Sequence, residues 1–206
     1  MHFNSQFSLQ NSSFKKFHYL WALMKRKVLL SPKQLELTLD RLCHQLIENH
    51  DNFQDCVIIG LQPRGIYLAR RLQSELSNLT KSEISYGEID PTFYRDDFRT
   101  KGHPIAPSSM NMDFVTVENK NVILVDDVLF SGRTIRAGLD ALLDFGRPKK
   151  VELLVLIDRR YSRHLPIQPD YVGKKVDTIV SQNIKTELTE AGDKTDGVWL
   201  LSSDER

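Results

Sequence analysis

The chain has 206 residues, 40% of them hydrophobic, enough for one well-packed α/β domain and too few for two. A formal net charge of +1 gives no global field to steer an anion or a nucleic acid, so such binding must come from local patches, and no DNA partner is expected. No apolar run approaches the ~20 residues that cross a bilayer, and the two cysteines, Cys43 and Cys56, fit neither a metal nor a Cys-x-x-Cys spacing.

Residues 1–30 contain no Asp or Glu and are rich in Ser, Asn, Phe and Lys. The apolar stretch 17–24 is too short for a signal-peptide core, is interrupted by His18 and runs into Lys25-Arg-Lys27. Residues 1–26 are expected to be a disordered or mis-started extension, with Met24 as an alternative start, and 27–206 a single domain of a cytoplasmic protein. Ser31-Pro32 is a cap followed by proline at the first helical position, and Leu35, Leu39, Leu42, Leu46 and Ile47 recur at helical spacing, which predicts a helix over 32–49. Cys43 falls on its apolar face. Val57-Ile-Ile59, opened by Cys56 and closed by Gly60, predicts a buried parallel strand, and both thiols read as core thiols of a reducing compartment. After Gln62-Pro-Arg-Gly65, the spacing of Ile66, Ala69, Leu72 and Leu76 predicts a second helix; 83–90 reads as a strand and 98–111 as a mobile loop.

The most informative stretch is 122–134, Val-Ile-Leu-Val-Asp-Asp-Val-Leu-Phe-Ser-Gly-Arg-Thr. It reads as a buried strand, an acidic tip, a tight loop and the start of an amphipathic helix reaching Phe145. Backbone N–H groups at such a helix start, with the Ser131 and Thr134 hydroxyls, can cradle a phosphate, and Gly132 lets the backbone approach the anion closely. Asp126 and Asp127, at the strand end, can accept hydrogen bonds from vicinal hydroxyls. Phosphate at one end and diol at the other describe a ribose 5-phosphate. Neither a Walker A string nor a Gly-x-Gly-x-x-Gly fingerprint occurs. A further strand over 151–158 and short strands near 171–176 and 198–201 complete an alternation that predicts a parallel sheet flanked by helices. Four segments (60–65, 95–97, 126–134 and Asp158-Arg159) follow strand ends, where ligands of such sheets bind.

The 122–134 stretch resembles the ribose-phosphate loop of the type I phosphoribosyltransferases. Gly60-Leu-Gln-Pro-Arg-Gly-Ile-Tyr-Leu-Ala69, Gly87-Glu-Ile-Asp90, Tyr94-Arg-Asp-Asp97, Asp144-Phe-Gly-Arg-Pro148, Leu165-Pro-Ile167 and Asp170-Tyr-Val-Gly-Lys174 fall in the order seen in one subfamily, the PyrR type, pyrimidine operon attenuation regulators that are also uracil phosphoribosyltransferases. The likeness spans about residues 27–188. It implies a type I phosphoribosyltransferase fold, a central, mainly parallel sheet flanked by helices with a small C-terminal hood, and a glycosyltransferase that moves 5-phosphoribosyl from its 1-pyrophosphate (PRPP) to uracil, giving UMP and pyrophosphate. Magnesium would be held mainly by PRPP and water, with no dedicated protein ligands. A homodimer or larger assembly of dimers is expected.

On that reading Asp127, Arg95 and Arg64 carry the catalysis. The nucleotide is contacted by Pro63, Arg64, Arg95, Asp126, Asp127, Val128, Leu129, Phe130, Ser131, Gly132, Arg133, Thr134, Arg159 and Ile184. Arg64 would donate to pyrophosphate, unless it is only a surface arginine beside a helix cap; Arg95 would do so too, unless it pairs with Asp96 or Asp97. The Arg133 side chain contacts phosphate or faces solvent while its N–H binds. Ile184 lies against the nucleotide or is plain core. The enzymatic alternative is a 6-oxopurine phosphoribosyltransferase, but there an aromatic residue follows the glycine where Lys174 and Lys175 stand here.

A second class of function implied by the subfamily is UMP-responsive binding of an mRNA leader, with or without catalysis. Here the chain departs from its relatives: Asp40-Arg41 replaces Thr-Arg, Arg160-Tyr-Ser-Arg-His164 replaces Gly-His-Arg and is one residue longer, and Gln168 stands for arginine. Arg159, Arg160, Arg163, Lys149 and Lys150 form either an RNA-facing basic patch or a solvated surface.

Overall fold

The computed structural model describes residues 26–51, 53–96, 112, 115–179 and 182–202. The expected extension, apart from Arg26, and the expected mobile loop over 98–111 lie outside the described residues.

The chain begins with β1 (Arg26–Leu30) and α1 (Pro32–His50). Ser31 caps α1 in a capping box: its Oγ accepts from the Gln34 N–H, and Gln34 Oε1 accepts from the Ser31 N–H at 2.9 Å. Leu35, Leu39, Leu42, Cys43 and Leu46 form the buried stripe. Then follow β2 (Cys56–Leu61), α2 (Gly65–Thr80), β3 (Ser85–Ile89), a 3₁₀ turn (Thr92–Tyr94), β4 (Asn121–Leu129), α3 (Arg133–Leu143) and β5 (Lys150–Arg160). The chain ends with β6 (Tyr171–Asp177), β7 (Gln182–Glu187), a 3₁₀ turn (Thr189–Ala191) and β8 (Gly197–Ser202).

Five strands form a wholly parallel sheet in the order β3-β2-β4-β5-β6. Side-chain alternation divides its apolar residues between two cores. Ile58, Ile123 and Val125 pack with α1, α2 and the hood, whereas Val57, Ile59, Leu61, Val122 and Leu124 pack with Ile135, Ala141 and Leu142 of α3. The hood is a second, antiparallel sheet in the order β1-β8-β7. It is not purely C-terminal, as the sequence reading has it. β1 supplies an edge strand, and Arg26 Nη2 bonds Glu187 Oε1 at 2.8 Å. β1 opens with two basic residues and so reads as the end of the extension, while β7 has a single apolar residue, Ile184, too few to announce a strand.

Candidate active site at the C-terminal edge of the parallel sheet

β2 sends its chain through α2 to β3 on one side, and β4 sends its chain through α3 to β5 on the other. The strand order therefore reverses between β2 and β4, and the loops that follow them open a crevice at that switch point. The loop after β2 is pressed onto β4: a Cβ on Gly65 would lie 2.4 Å from the Val125 carbonyl oxygen, so only glycine fits. That contact sets Arg64 beside the acidic pair.

The acidic pair is not at the strand tip. β5 reaches Arg160 rather than stopping at Asp158, so β4 keeps a ladder partner: Asp126 pairs with Val155, Val128 with Ile157 and Leu129 with Asp158. Asp126 continues the row of Val122 and Leu124, is 5% exposed, and lies near Arg95. Asp127 continues the row of Ile123 and Val125 and lies near Arg64 and the hood's Thr186. Burial pushes Asp126 well above the usual carboxylate range, with the Asp127 charge adding to it, and the Asp127 N–H donates to Asp126 Oδ1 at 2.9 Å. Burial raises Asp127 too, opposed by Thr186, the Val128 amide and Arg64. Thr186 is buried and its hydroxyl faces this carboxylate.

Beyond β4, Val128 is half-buried, Leu129 buried and Phe130 44% exposed. Gly132 caps α3 with φ +89°, a left-handed conformation that suits glycine. It has no side chain to cap the helix; the Arg133 N–H reaches back to Ser131 Oγ at 3.4 Å. The helix start thus presents first-turn N–H groups beside two hydroxyls. Arg95 Nη1 donates to Thr134 Oγ1 at 3.2 Å, which brings the segment after β3 to this loop. Asp96 takes Arg133 as its partner, and the Tyr94 hydroxyl donates to Asp144. The Arg133 guanidinium is thus partly exposed and paired with Asp96.

Arg64 Nη1 donates to Asp193 Oδ2 in the hood at 2.9 Å, and Pro63 before it is exposed. Arg159 is 4% exposed: Nε donates to Thr178 Oγ1 at 3.0 Å, Nη2 to the Gln182 carbonyl at 2.9 Å, and its guanidinium carbon sits 4.1 Å from the Phe130 ring centroid. Ile184 pairs with Leu200 and packs half-buried against the first core. The structure thus brings together 62–65, Arg95, 126–134 and Arg159; Arg163, read from sequence only as part of a basic patch, joins them, as do Thr186 and Asp193, which no sequence motif marks.

The basic patch is dispersed. Lys149 and Lys150 lie at the start of β5 and Arg159 and Arg160 at its end, a span of ~30 Å at ~3.3 Å per residue. Arg159 is buried, Arg160 pairs with Asp177, and Arg163 with Asp158. No group of three or more His, Cys, Asp or Glu among the described residues is arranged to hold a metal. No helix among them is long and apolar enough to cross a membrane.

A parallel sheet with a hood, an acidic pair and an anion-ready helix start define the class, a type I phosphoribosyltransferase. The Phosphoribosyl transferase domain family matches residues 27–191. Solved structures agree in fold: a hypoxanthine-guanine phosphoribosyltransferase from Bacillus anthracis superposes with TM-score 0.63 at 20% identity, over 86% of this chain and 98% of that one. A hypoxanthine phosphoribosyltransferase from Trypanosoma cruzi gives 0.66 at 14% identity, over 85% and 94%. Curated relatives are closer in sequence. The Bifunctional protein PyrR of Actinobacillus succinogenes is 46% identical over 179 residues, covering 85% of this chain and 97% of the relative. That of Halalkalibacterium halodurans is 44% identical over 165 residues (80% and 91%), and that of Bacillus subtilis 39% over 181 (87% and 99%). The chain belongs to the PyrR family of phosphoribosyltransferases.

Proposed function

We propose that this chain transfers the 5-phosphoribosyl group from PRPP to uracil, releasing pyrophosphate and UMP. The observation that supports this most is the junction of β4 and α3, where an acidic pair, Asp126 buried and Asp127 half-buried, is followed within five residues by an uncapped helix start flanked by hydroxyls. The loop 131–134 takes the 5-phosphate on its N–H groups and on Ser131 and Thr134. Asp127 accepts from the ribose hydroxyls, with Asp126 behind it, and its charge favours the cationic ribosyl that forms as the C–O bond to pyrophosphate breaks and the uracil nitrogen closes in.

Arg64 and Arg95 face the leaving pyrophosphate. Magnesium would be carried on the diphosphate with its own waters rather than in a protein cage; when bound, the ion neutralises leaving-group charge. Uracil, small and neutral, suits an apolar slot read by backbone groups between Phe130, Arg159 and Ile184. Where purine enzymes are expected to have a stacking ring, Lys174 Nζ instead donates to the Leu29 carbonyl at 2.8 Å.

The second activity implied by the resemblance, UMP-responsive binding of an mRNA leader, would draw on exposed basic residues such as Arg160, whose pair with Asp177 lies at the surface, rather than on Arg159 and Arg163, which are engaged internally. A gel shift against the leader of its own pyrimidine operon, with and without UMP, tests it: a UMP-dependent shift supports regulation, and none limits the chain to salvage. Catalysis is tested by pyrophosphate release from PRPP with uracil, hypoxanthine or guanine as acceptor. Sedimentation would read the expected dimer or assembly of dimers.

A further inference from the structure

The loop that precedes α3 is held from behind by the segment following β5. The Arg163 guanidinium donates to the Leu129 carbonyl at 3.0 Å, to those of Phe130 and Arg159, and from Nε to that of Ile167 at 3.1 Å, while Nη2 is anchored on Asp158. The next carbonyl, that of Ser131, accepts from the His164 N–H at 3.0 Å and the Leu165 N–H at 3.2 Å. Three consecutive loop carbonyls, 129 to 131, are therefore fixed by one short segment. A peptide unit is planar and trans, so its C=O and N–H point in opposite directions. Fixing these carbonyls on one side aims the N–H groups of Phe130, Ser131 and Gly132 to the other.

We infer that Arg163 is a positioning residue for the phosphate subsite, aligning the loop's amides before any ligand arrives. Five acceptors in three directions suit the planar five-donor fork of arginine; the ammonium of lysine has three donors and cannot span them. Preorganisation of this kind adds affinity for the anion without touching it. The inference rests on the reading of 131–134 as the 5-phosphate site.

The test compares the dissociation constants of UMP and of uridine, which lacks the phosphate, for the full chain and for R163K, R163Q and R160K. Wild type is expected to bind UMP more tightly than uridine; equal binding would instead overturn the phosphate-site reading itself. R163K and R163Q are expected to narrow the uridine-to-UMP ratio about tenfold, with uridine affinity within about twofold. R160K, whose parent side chain pairs with Asp177 and makes no bond to the loop, should leave the ratio unchanged. Folded R163 variants that keep the wild-type ratio would overturn the inference. So would an R163K protein that cannot fold, because the arginine would then serve the fold rather than the subsite.

Discussion

Arg64 of the loop after β2 and Asp193 of the hood are joined at 2.9 Å across the mouth of the site. Asp193 Oδ2 also accepts from the Leu188 N–H at 2.9 Å, and about two turns of α2 further on Arg71 holds Glu190 and Asp196 of the same hood segment. The hood is thus moored to α2 by two arginines, one of them a pyrophosphate candidate. Incoming pyrophosphate competes with Asp193 for that guanidinium. The pair is partly exposed, 29% and 18% by side chain, so breaking it is worth only about 0.2–1 kcal/mol. D193N should therefore tighten product inhibition by pyrophosphate by roughly 1.4- to 5-fold. Weaker inhibition in the variant would mean that Asp193 orients Arg64 rather than occupying it.

Asp127 has the most direct role in the proposed chemistry. D127N preserves shape and should leave the melting temperature within a few degrees while lowering kcat by about 100-fold, the scale of losing one aligned electrostatic group. Steady-state kinetics with PRPP and uracil measure it, and unchanged turnover would remove Asp127 from the mechanism.

Much of this site was legible because its signals are local. Ser31 with Pro32, the Leu35 to Leu46 stripe, Val57-Ile-Ile59 and the run from Val122 to Thr134 each declare themselves within a few residues, and the parallel order then follows from their alternation. What stayed hidden depends on distant partners. β1 is a strand because β8 lies beside it, about 170 residues away, and β7 carries one apolar residue in six. β4 runs through two carboxylates only because β5 extends to match it. Arg163, Thr186 and Asp193 are ordinary polar residues in sequence, and only the tertiary fold turns them toward the loop, Asp127 and Arg64.

The buried Asp126 makes stability depend on pH in an unusual direction. Its carboxyl is raised in the folded state, chiefly by burial; the folded chain therefore keeps the proton when the unfolded chain has already released it. The stabilisation is complete below about pH 4 and is lost as pH rises through the raised folded value. D126N has no such proton to lose, so its stability relative to wild type should climb as pH rises above about 4. Denaturant unfolding of both proteins across this range measures it; a constant difference would show that the carboxylate is well solvated or paired.

Both thiols should be inert in the native protein. Cys43 is fully buried on α1 and its thiol is pushed up to about 12 by burial and by the Glu75 and Asp40 charges; burial raises Cys56 as well. Native protein is expected to consume almost none of an aromatic disulfide reagent near neutral pH, and denatured protein two equivalents. Rapid native reaction would contradict this packing.

The most direct test of uracil phosphoribosyl transfer is pyrophosphate release from PRPP with magnesium and each candidate base supplied in turn. Release that depends on uracil, with UMP formed in equal amount and little turnover of hypoxanthine or guanine, is the expected result. Release that follows the purines, or none with any base, would contradict it.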